Sequence, residues 1–273
     1  MFSVLMSIYK GDKVNNFVEA FESIIKQTLK PSEIILIRDG QVYEELQNKI
    51  DEYLKSYGEI ITYIPLDENK GLGNALNVGV SAAKNELIAR MDTDDIAKPN
   101  RFEIQYNFMQ NNPDIDIVGS HINEFIGDES NIICQRKVPL TNQEICKELK
   151  SFNPFNHMTV MFRKESVLKA GNYLDMYYLE DYYLWCRMYL AGAKFANIDE
   201  ALVDARVGND MVRRRGGYKY FCSYKKLKKF MLKNKMISFA NYLFILFCRF
   251  NIQVLFPNKL RGFIIRKFTR KKV

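Results

Sequence analysis

The sequence predicts an α/β protein, an αβα layered domain with a mostly parallel central sheet, followed by a basic, amphipathic helical extension. Short apolar runs alternate with helical patterns through the first half of the chain, which is typical of consecutive βαβ units. The charge then changes abruptly. Residues 1–210 contain 22 basic and 32 acidic residues, whereas residues 211–273 contain 18 basic and no acidic ones. We therefore expect one layered domain over 1–210 and an extension over 211–273.

Five apolar runs of the first half have the length and composition of buried strands, and helical spacing follows the first four. Pro31 ends the first helical segment, and Pro99 is expected in the first turn of the last one. Strands are predicted at Ser3–Tyr9, Ile34–Ile37, Ile60–Pro65, Leu87–Met91 and Ile115–Gly119, and helices at 17–25, Tyr43–Tyr57, Asn74–Ala83 and 99–111.

The second half mixes strands and helices less regularly. Thr141 and Glu144 have the spacing of a capping box, which predicts a short helix after Thr141. Thr159–Phe162 and Lys194–Ile198 are predicted as strands, and Asp181–Leu190 as a helix. No internal repeat or low-complexity linker divides the first 210 residues, which favours a single domain.

The cysteines and histidines of the sequence indicate the redox compartment and the kind of metal site to expect. The five cysteines form no Cys-x-x-Cys pair and the N terminus has no signal-peptide pattern, which favours a reduced cytosolic compartment. The two histidines, His121 and His157, lie far apart in sequence, so a histidine-rich zinc centre is not expected. Any metal ion would be held mainly by carboxylates, which favours Mg²⁺ or Mn²⁺.

Several predicted strands end in polar residues, at the edge where open α/β sheets bind ligands. The fourth is followed by Asp92-Thr93-Asp94-Asp95. Alternate residues of an extended segment point the same way, so Asp92 and Asp94 are expected to converge on one cation. That cation would contact the oxygens of a diphosphate and act as a Lewis acid. An acidic loop without a metal is the alternative.

Two other strand ends are candidates for contacts with a nucleotide. The segment Asn69–Asn74, which includes Lys70 and Gly71, would place backbone amides and a lysine against phosphates at a helix start, or is an ordinary turn. Its glycine spacing matches neither the P-loop nor the dinucleotide-binding fingerprint. Asp39 would accept hydrogen bonds from a base or ribose, or belongs with Gly40 to a turn.

Six motifs occur in a recognisable order: Ser3–Tyr9, Ser23–Thr28, Asp39-Gly40, Asn69-Lys70-Gly71, Arg90-x-Asp92-x-Asp94-Asp95 and Glu180-Asp181. This order resembles the family 2 glycosyltransferases of the GT-A fold, especially bacterial enzymes that build O-antigen, capsule or exopolysaccharide. The resemblance covers residues 2–210. It implies a donor half over about 1–120 and an acceptor half over about 121–210. The implied partners are a UDP-sugar donor, one divalent metal ion and a glycan acceptor linked to undecaprenyl diphosphate.

The resemblance also implies roles for individual residues of the donor half. Tyr9 and Asp39 would hold the uracil. Arg90 and Asp92 would lie near the nucleotide, and Asp94 would ligate the metal under the diphosphate.

In the acceptor half, the resemblance implies that Asp181 is the general base. A glycosyl donor already carries a good leaving group, so the acceptor hydroxyl is what needs activation, and attack opposite the diphosphate inverts the anomeric centre. The alternative is a carboxylate favoured by the dipole at a helix start. Glu180 would orient Asp181 or the acceptor, and Trp185 would offer an aromatic face to a sugar or pack in the core. His157 is either an acceptor contact or a structural histidine.

The extension contains two features of its own. Arg213-Arg214-Arg215, followed by two glycines, would fold over the donor diphosphate as a lid or form a basic surface loop. Residues 237–256 are nearly long enough to span a bilayer, but Arg249 interrupts the apolar run. With basic residues on both sides, a peripheral attachment to the anionic cytoplasmic face of a bacterial inner membrane is favoured over a packed subdomain or a true span.

Two other functions fit parts of the sequence. A sugar nucleotidyltransferase has a similar sheet and metal chemistry, but it usually has a glycine- and arginine-rich loop where this chain has Lys10-Gly11-Asp12. A non-catalytic polyanion-binding protein would use the extension on RNA or DNA. No nucleic-acid-binding module is recognisable, so contact with nucleic acid is not expected.

Overall fold

The computed structural model describes residues 1–208 and 216–257. Its strands are β1 (Phe2–Ile8), β2 (Glu33–Arg38), β3 (Ile61–Pro65), β4 (Leu87–Arg90), β5 (Ile96–Ala97), β6 (Ile117–Phe125), β7 (Ile132–Arg136), β8 (Met161–Arg163) and β9 (Phe195–Arg206). Its helices are α1 (Val14–Ile25), α2 (Glu44–Tyr57), α3 (Leu72–Ala82), α4 (Arg101–Asn111), α5 (Asn142–Glu148), α6 (Lys164–Lys169), α7 (Glu180–Leu190), α8 (Tyr218–Lys233) and α9 (Phe239–Phe250). A short 3-10 turn at His157–Thr159 and a π-helical turn at Asn251–Leu255 complete the described elements.

The sheet has nine strands in the order β3-β2-β1-β4-β8-β6-β9-β5, with β7 paired to β6. The first four strands are parallel because the helices α1, α2 and α3 carry the chain back between them. The sheet then becomes mixed: β8 is antiparallel to both β4 and β6, and β9 is parallel to β6. The carboxyl ends of β1, β2 and β4 therefore lie at one edge.

The two faces of the sheet are covered by separate hydrophobic clusters, as the predicted layered fold requires. In β1, Val4, Met6 and Ile8 pack into one cluster, whereas Leu5 packs into the other. This alternation follows the two-residue period of a strand buried on both faces. Helices α1, α2 and α4 cover the first face, and α3, α7 and α8 cover the second.

Helix α8 contributes to the same core as α7, through Tyr220, Tyr224, Leu227 and Met231. Helix α9 differs, because none of its residues is buried and it packs on the core through Tyr242 and Ile245. Within the two described ranges, no helix combines the length and the apolar character that crossing a bilayer requires.

The predicted elements of residues 1–208 are present in the structure with shifted boundaries, whereas β5, β7 and α6 were not predicted. The capping box is confirmed: Glu144 N donates to Thr141 Oγ1 at 3.3 Å, and Thr141 N donates to Glu144 Oε2 at 3.1 Å. Pro99 lies outside its predicted helix, which begins at Arg101. Strands β6 and β9 are longer than predicted, and the β6–β7 hairpin was not predicted because β7 exposes Ile132 and Ile133 at an edge.

Candidate active site

Three carboxylates converge at the carboxyl end of β4. The ligand oxygens of Asp92, Asp94 and Asp95 lie within 4.8 Å of one another. Between them, Thr93 is buried and its hydroxyl lies 3.5 Å from the carbonyl oxygen of Ser7 on β1. In this turn after β4, Thr93 anchors the segment to the sheet, and Asp92 and Asp94 are half-buried whereas Asp95 is buried.

Asp95 is the buried member of the cluster. Its Oδ1 accepts a hydrogen bond from Arg206 N at 2.8 Å, and its Oδ2 has no hydrogen-bond partner among the described residues. Burial raises the pKa of Asp95, and the charges of Asp94 and Asp92 raise it further. A divalent cation would relieve this repulsion, and an all-oxygen donor set is what Mg²⁺ and Mn²⁺ prefer. The residues present therefore fit a divalent metal ion.

Arg90 lies directly behind the cluster. Its side chain is 2% exposed, Nη2 pairs with Asp92 Oδ1, and its carbonyl oxygen accepts from Arg101 Nη2 at 2.7 Å. The Nε and Nη1 atoms of Arg90 have no acceptor among the described residues. A buried guanidinium with unfilled donors is costly unless an anion completes it. Arg90 therefore places a fixed positive charge beside the acidic cluster and pairs with Asp92.

Asp39, at the end of β2, fixes the loop before α3. Its Oδ1 accepts from Lys70 N at 2.8 Å and its Oδ2 from Gly71 N at 3.0 Å. The side chain of Asn69 adds a bond to the Asp39 carbonyl at 3.1 Å, and Asn74 Nδ2 donates to the carbonyl of Lys70 at 2.6 Å. Both carboxylate oxygens of Asp39 therefore already accept hydrogen bonds from the loop backbone. The predicted contact between Asp39 and the uracil stays a prediction.

The loop after β1 brings a fourth acid to the cluster. Asp12 Oδ2 accepts from Tyr9 N at 2.9 Å, and burial followed by the charges of Asp94 and Asp92 raises the pKa of Asp12 to about 7. The Tyr9 ring lies over Gly11, where an added Cβ would come within 2.4 Å of it. Sequence reasoning did not select Asp12, although its position at a strand end could have indicated it.

The acidic pair at the start of α7 faces the loop before α3. A Cβ built on Gly73 would lie 3.2 Å from the Cβ of Glu180, so the two helix starts pack closely. Asp181 Oδ1 accepts from Tyr182 N at 2.6 Å, and its Oδ2 accepts from Asn153 Nδ2 at 2.6 Å. Burial and the charge of Asp181 raise the pKa of Glu180 to about 8.

Tyr173 lies between the two acidic groups and was not selected from the sequence. Burial raises the pKa of the Tyr173 hydroxyl. The positive charge of Arg90 lowers this pKa, and the negative charge of Asp181 raises it. That hydroxyl is 2.9 Å from His157 Nε2. Burial and Arg90 lower the pKa of His157 well below its usual value, so its imidazole is neutral. His157 therefore holds the buried Tyr173 hydroxyl in place by a hydrogen bond.

Two candidates from the sequence stand apart from this arrangement. The sugar contact predicted for Trp185 is wrong, because its side chain is 0% exposed. Its ring centre lies 5.5 Å from that of Phe155 and 6.4 Å from that of Tyr173. Its buried ring offers no face to a sugar. Arg213, Arg214 and Arg215 lie outside the described residues.

The family model for "Glycosyl transferase family 2" matches residues 3–169. The chain belongs to glycosyltransferase family 2. This family 2 enzyme is 38% identical over 267 residues to the amylovoran biosynthesis glycosyltransferase AmsE of Erwinia amylovora, with 98% of each chain covered. It is 37% identical over 270 residues to an Escherichia coli UDP-Gal:alpha-D-GlcNAc-diphosphoundecaprenol beta-1,3-galactosyltransferase, covering 99% of this chain and 97% of the relative.

A solved structure shares the fold of this glycosyltransferase. The crystal structure of GalNAc-T7 with UDP, GalNAc and Mn²⁺ has a TM-score of 0.67 at 17% identity, covering 97% of this chain and 53% of the other. The GT-A fold and the glycosyltransferase activity expected from the motif order are thereby confirmed, in place of a nucleotidyltransferase or a non-catalytic protein.

Proposed function

We propose that this family 2 glycosyltransferase transfers a sugar from UDP to a glycan carried on undecaprenyl diphosphate, with inversion, during synthesis of a bacterial surface polysaccharide. One observation carries the proposal. The buried Arg90 lies close enough to interact electrostatically with two groups of acids: the Asp92–Asp95 cluster, which could hold a metal ion, and the pair Glu180-Asp181. The printed donor and acceptor of the Escherichia coli relative support the substrate classes.

On the donor side, we assign the metal ligands to Asp94 and Asp92. When bound, Mg²⁺ or Mn²⁺ would neutralise charge on the departing diphosphate. The buried positive charge of Arg90, which also pairs with Asp92, would attract the same phosphates. Tyr9, which is 41% exposed, would lie against the uracil. The loop held by Asp39, with Lys70, Gly71 and Asn74, would form the far wall of the nucleotide site.

On the acceptor side, Asp181 is the better base of the two neighbouring carboxylates. Burial and the charge of Asp181 raise the pKa of Glu180 to about 8, which favours its protonated form near neutral pH, whereas Asn153 Nδ2 holds the Asp181 carboxylate in one orientation by a hydrogen bond at 2.6 Å. Asp181 would take the proton of the acceptor hydroxyl as that oxygen bonds to the anomeric carbon. The bond from that carbon to the diphosphate breaks on the opposite side, and UDP leaves.

The domain boundary near residue 210 and the location of the enzyme belong to the same proposal. Residues 1–210 would carry both substrate sites, and residues 211–273 would attach the enzyme peripherally to the cytoplasmic face of the inner membrane. The 18 basic residues and the absence of acids in 211–273 support attraction to anionic lipid.

The test compares two variants of the full chain with Mn²⁺, a panel of UDP-sugars and a lipid-linked acceptor. Asp94→Ala should lose metal-dependent UDP binding, measured by calorimetry. Asp181→Asn should keep UDP binding and lose transfer by at least about a hundredfold. Asp114→Asn, at an exposed acid outside the site, is the control and should behave as wild type.

Two outcomes would contradict the proposal. Full sugar transfer by Asp181→Asn would remove that residue as the base. Release of pyrophosphate from a nucleoside triphosphate and a sugar phosphate, instead of UDP release, would replace the whole reaction by nucleotidyl transfer.

A further inference from the structure

Helix α9 presents a continuous apolar stripe to solvent. Phe239, Leu243, Phe247 and Phe250 are 63%, 51%, 71% and 37% exposed, and their spacing places them within about 80° around the helix. Phe244, 69% exposed, lies about 60° beyond that arc. Single exposed apolar residues are ordinary on protein surfaces, whereas a contiguous stripe of four phenylalanines and a leucine marks an interaction surface.

The opposite face of α9 is held by the rest of the molecule, so the stripe has a fixed direction. Tyr242 and Ile245 pack on the main core, and the Arg249 guanidinium lies 4.4 Å from the centre of the Tyr224 ring on α8. Ser238 caps the helix by accepting a hydrogen bond from Asn241 N. The helix is therefore docked along one side and uncovered by any described residue along the other.

Helix α8 presents a row of lysines next to this stripe. The exposed lysines fall within about 120° of arc, opposite the buried side that carries Tyr224 and Leu227. The Phe221 ring of α8 contacts Phe250 of α9 at 5.3 Å, and Lys225 lies only about 40° around α8 from Phe221. The lysines of this arc are Lys219, Lys225, Lys226, Lys229 and Lys233.

We propose that these two features form one membrane-docking face, consisting of the α9 stripe and the α8 lysine arc, and that it binds an anionic lipid bilayer. Aromatic side chains beside lysines are the composition of helices that lie in the lipid interface. A second copy of the chain is a poorer occupant, because a two-fold contact would bring two acid-free lysine arcs together. The proposal rests on the proposed function, which attaches residues 211–273 to the membrane, and it names the side chains that make the contact.

The docking face is connected to the proposed base by direct contacts. Arg249 of α9 lies 5.6 Å from the Phe152 ring, and the next residue, Asn153, donates to Asp181. On α8, Ser223 Oγ donates to the carbonyl of Tyr177, in the loop that leads into α7, at 2.9 Å. Docking through α9 therefore sets the acceptor end of the cleft beside the bilayer, where a lipid-linked diphosphate lies.

The first experiment measures flotation of the full chain with vesicles of phosphatidylcholine, with or without phosphatidylglycerol. Phe244→Ser with Phe247→Ser should lower the bound fraction on the order of tenfold. Lys225→Gln with Lys229→Gln should weaken binding to the anionic vesicles by roughly fivefold per lysine at low salt. Leu168→Ser, at a 43% exposed leucine of α6, is the matched control and should bind as wild type.

A second measurement reports insertion directly and does not depend on loss of binding. Brominated lipids should quench an indole placed by Phe247→Trp but not one placed by Leu168→Trp, with the buried Trp185 as a constant background. Equal flotation of the Phe244→Ser, Phe247→Ser protein, or equal quenching at 247 and 168, would overturn the proposal.

Two further outcomes separate this proposal from its alternatives. A dimer that the same serine pair converts to a monomer, with vesicle binding unchanged, would assign the stripe to a second copy instead. Vesicle binding by an enzyme that releases no UDP would keep the docking face and overturn the proposed function.

Discussion

Lys228 on α8 donates a hydrogen bond from Nζ to the hydroxyl of Tyr182 on α7 at 3.0 Å, one residue after Asp181. The same Nζ donates to the carbonyl of Lys150 at 2.9 Å, and the Tyr182 hydroxyl donates to the carbonyl of Leu149 at 2.6 Å. The ammonium group is buried and forms no salt bridge with a described carboxylate. Through this contact, α8 supports the first turn of the helix that carries the proposed base.

Lys228→Met should flatten the pH dependence of stability. Burial lowers the pKa of Lys228 from 10.5 to about 7 in the folded protein. Between these values the unfolded chain binds more protons, so the wild-type free energy of unfolding gains up to about 1.4 kcal/mol per pH unit as pH rises. Urea denaturation at pH 7 and about pH 9 measures this gain. The control Lys229→Met, at an exposed lysine, should show the same rise in the free energy of unfolding as wild type. An equally large rise in Lys228→Met would contradict the prediction.

Asn153→Ala should lower kcat by roughly tenfold to a hundredfold without changing the KM for the donor. Asn153 Nδ2 donates to Asp181 Oδ2 at 2.6 Å, so its removal lets the base leave the geometry needed for proton transfer. Steady-state kinetics with varied donor and acceptor measure the effect. Asn111→Ala, at the exposed end of α4, is the control. A change confined to the donor KM would show that Asn153 acts elsewhere.

Asp39→Asn should weaken UDP binding and lower the free energy of unfolding by about 1–3 kcal/mol. Asparagine keeps one acceptor oxygen, so one of the backbone amides of Lys70 and Gly71 would lose its partner. Thermal melts and UDP calorimetry on the same samples measure both effects. Asp51→Asn, an exposed acid of α2, should change neither. Normal melting with normal UDP affinity in Asp39→Asn would contradict this account of the loop.

Trp185→Phe should cost roughly 1–3 kcal/mol of stability and leave the acceptor KM unchanged. The smaller ring leaves space against Phe155 and Tyr173, and the indole has no exposed face to lose. Chemical denaturation and acceptor kinetics measure the two effects. A selective rise of the acceptor KM in a protein of normal stability would restore Trp185 to the acceptor site.

The donor edge of the sheet could be predicted because strand periodicity alone places its residues. Apolar runs identify β1 and β4, and the polar residues that end them must share an edge when the strands are parallel. The sequence also predicted that Asp92 and Asp94 converge, but its reason was wrong in detail: the segment forms a turn, and Asp95, which an extended segment would direct the other way, belongs to the same cluster.

The acceptor side could not be predicted in the same way. Asn153 and Asp181 lie 28 residues apart, and Asn153 belongs to a segment without helical or strand periodicity. Tyr173 joins Arg90 to the acidic pair from a similar segment. For Trp185 the core alternative holds and the sugar contact does not, because the sequence shows an aromatic-rich helix but not which of its faces meets the core.

The close approach of Gly73 to Glu180 has a consequence for attempts to redesign substrate choice. A Cβ at position 73 would lie 3.2 Å from the Cβ of Glu180 and 3.2 Å from the carbonyl oxygen of Leu174, so these neighbours would have to shift by a few tenths of an ångström to accept it. A helix α7 transplanted from a relative with another acceptor should therefore fit most easily in a host that retains glycine at this crossing.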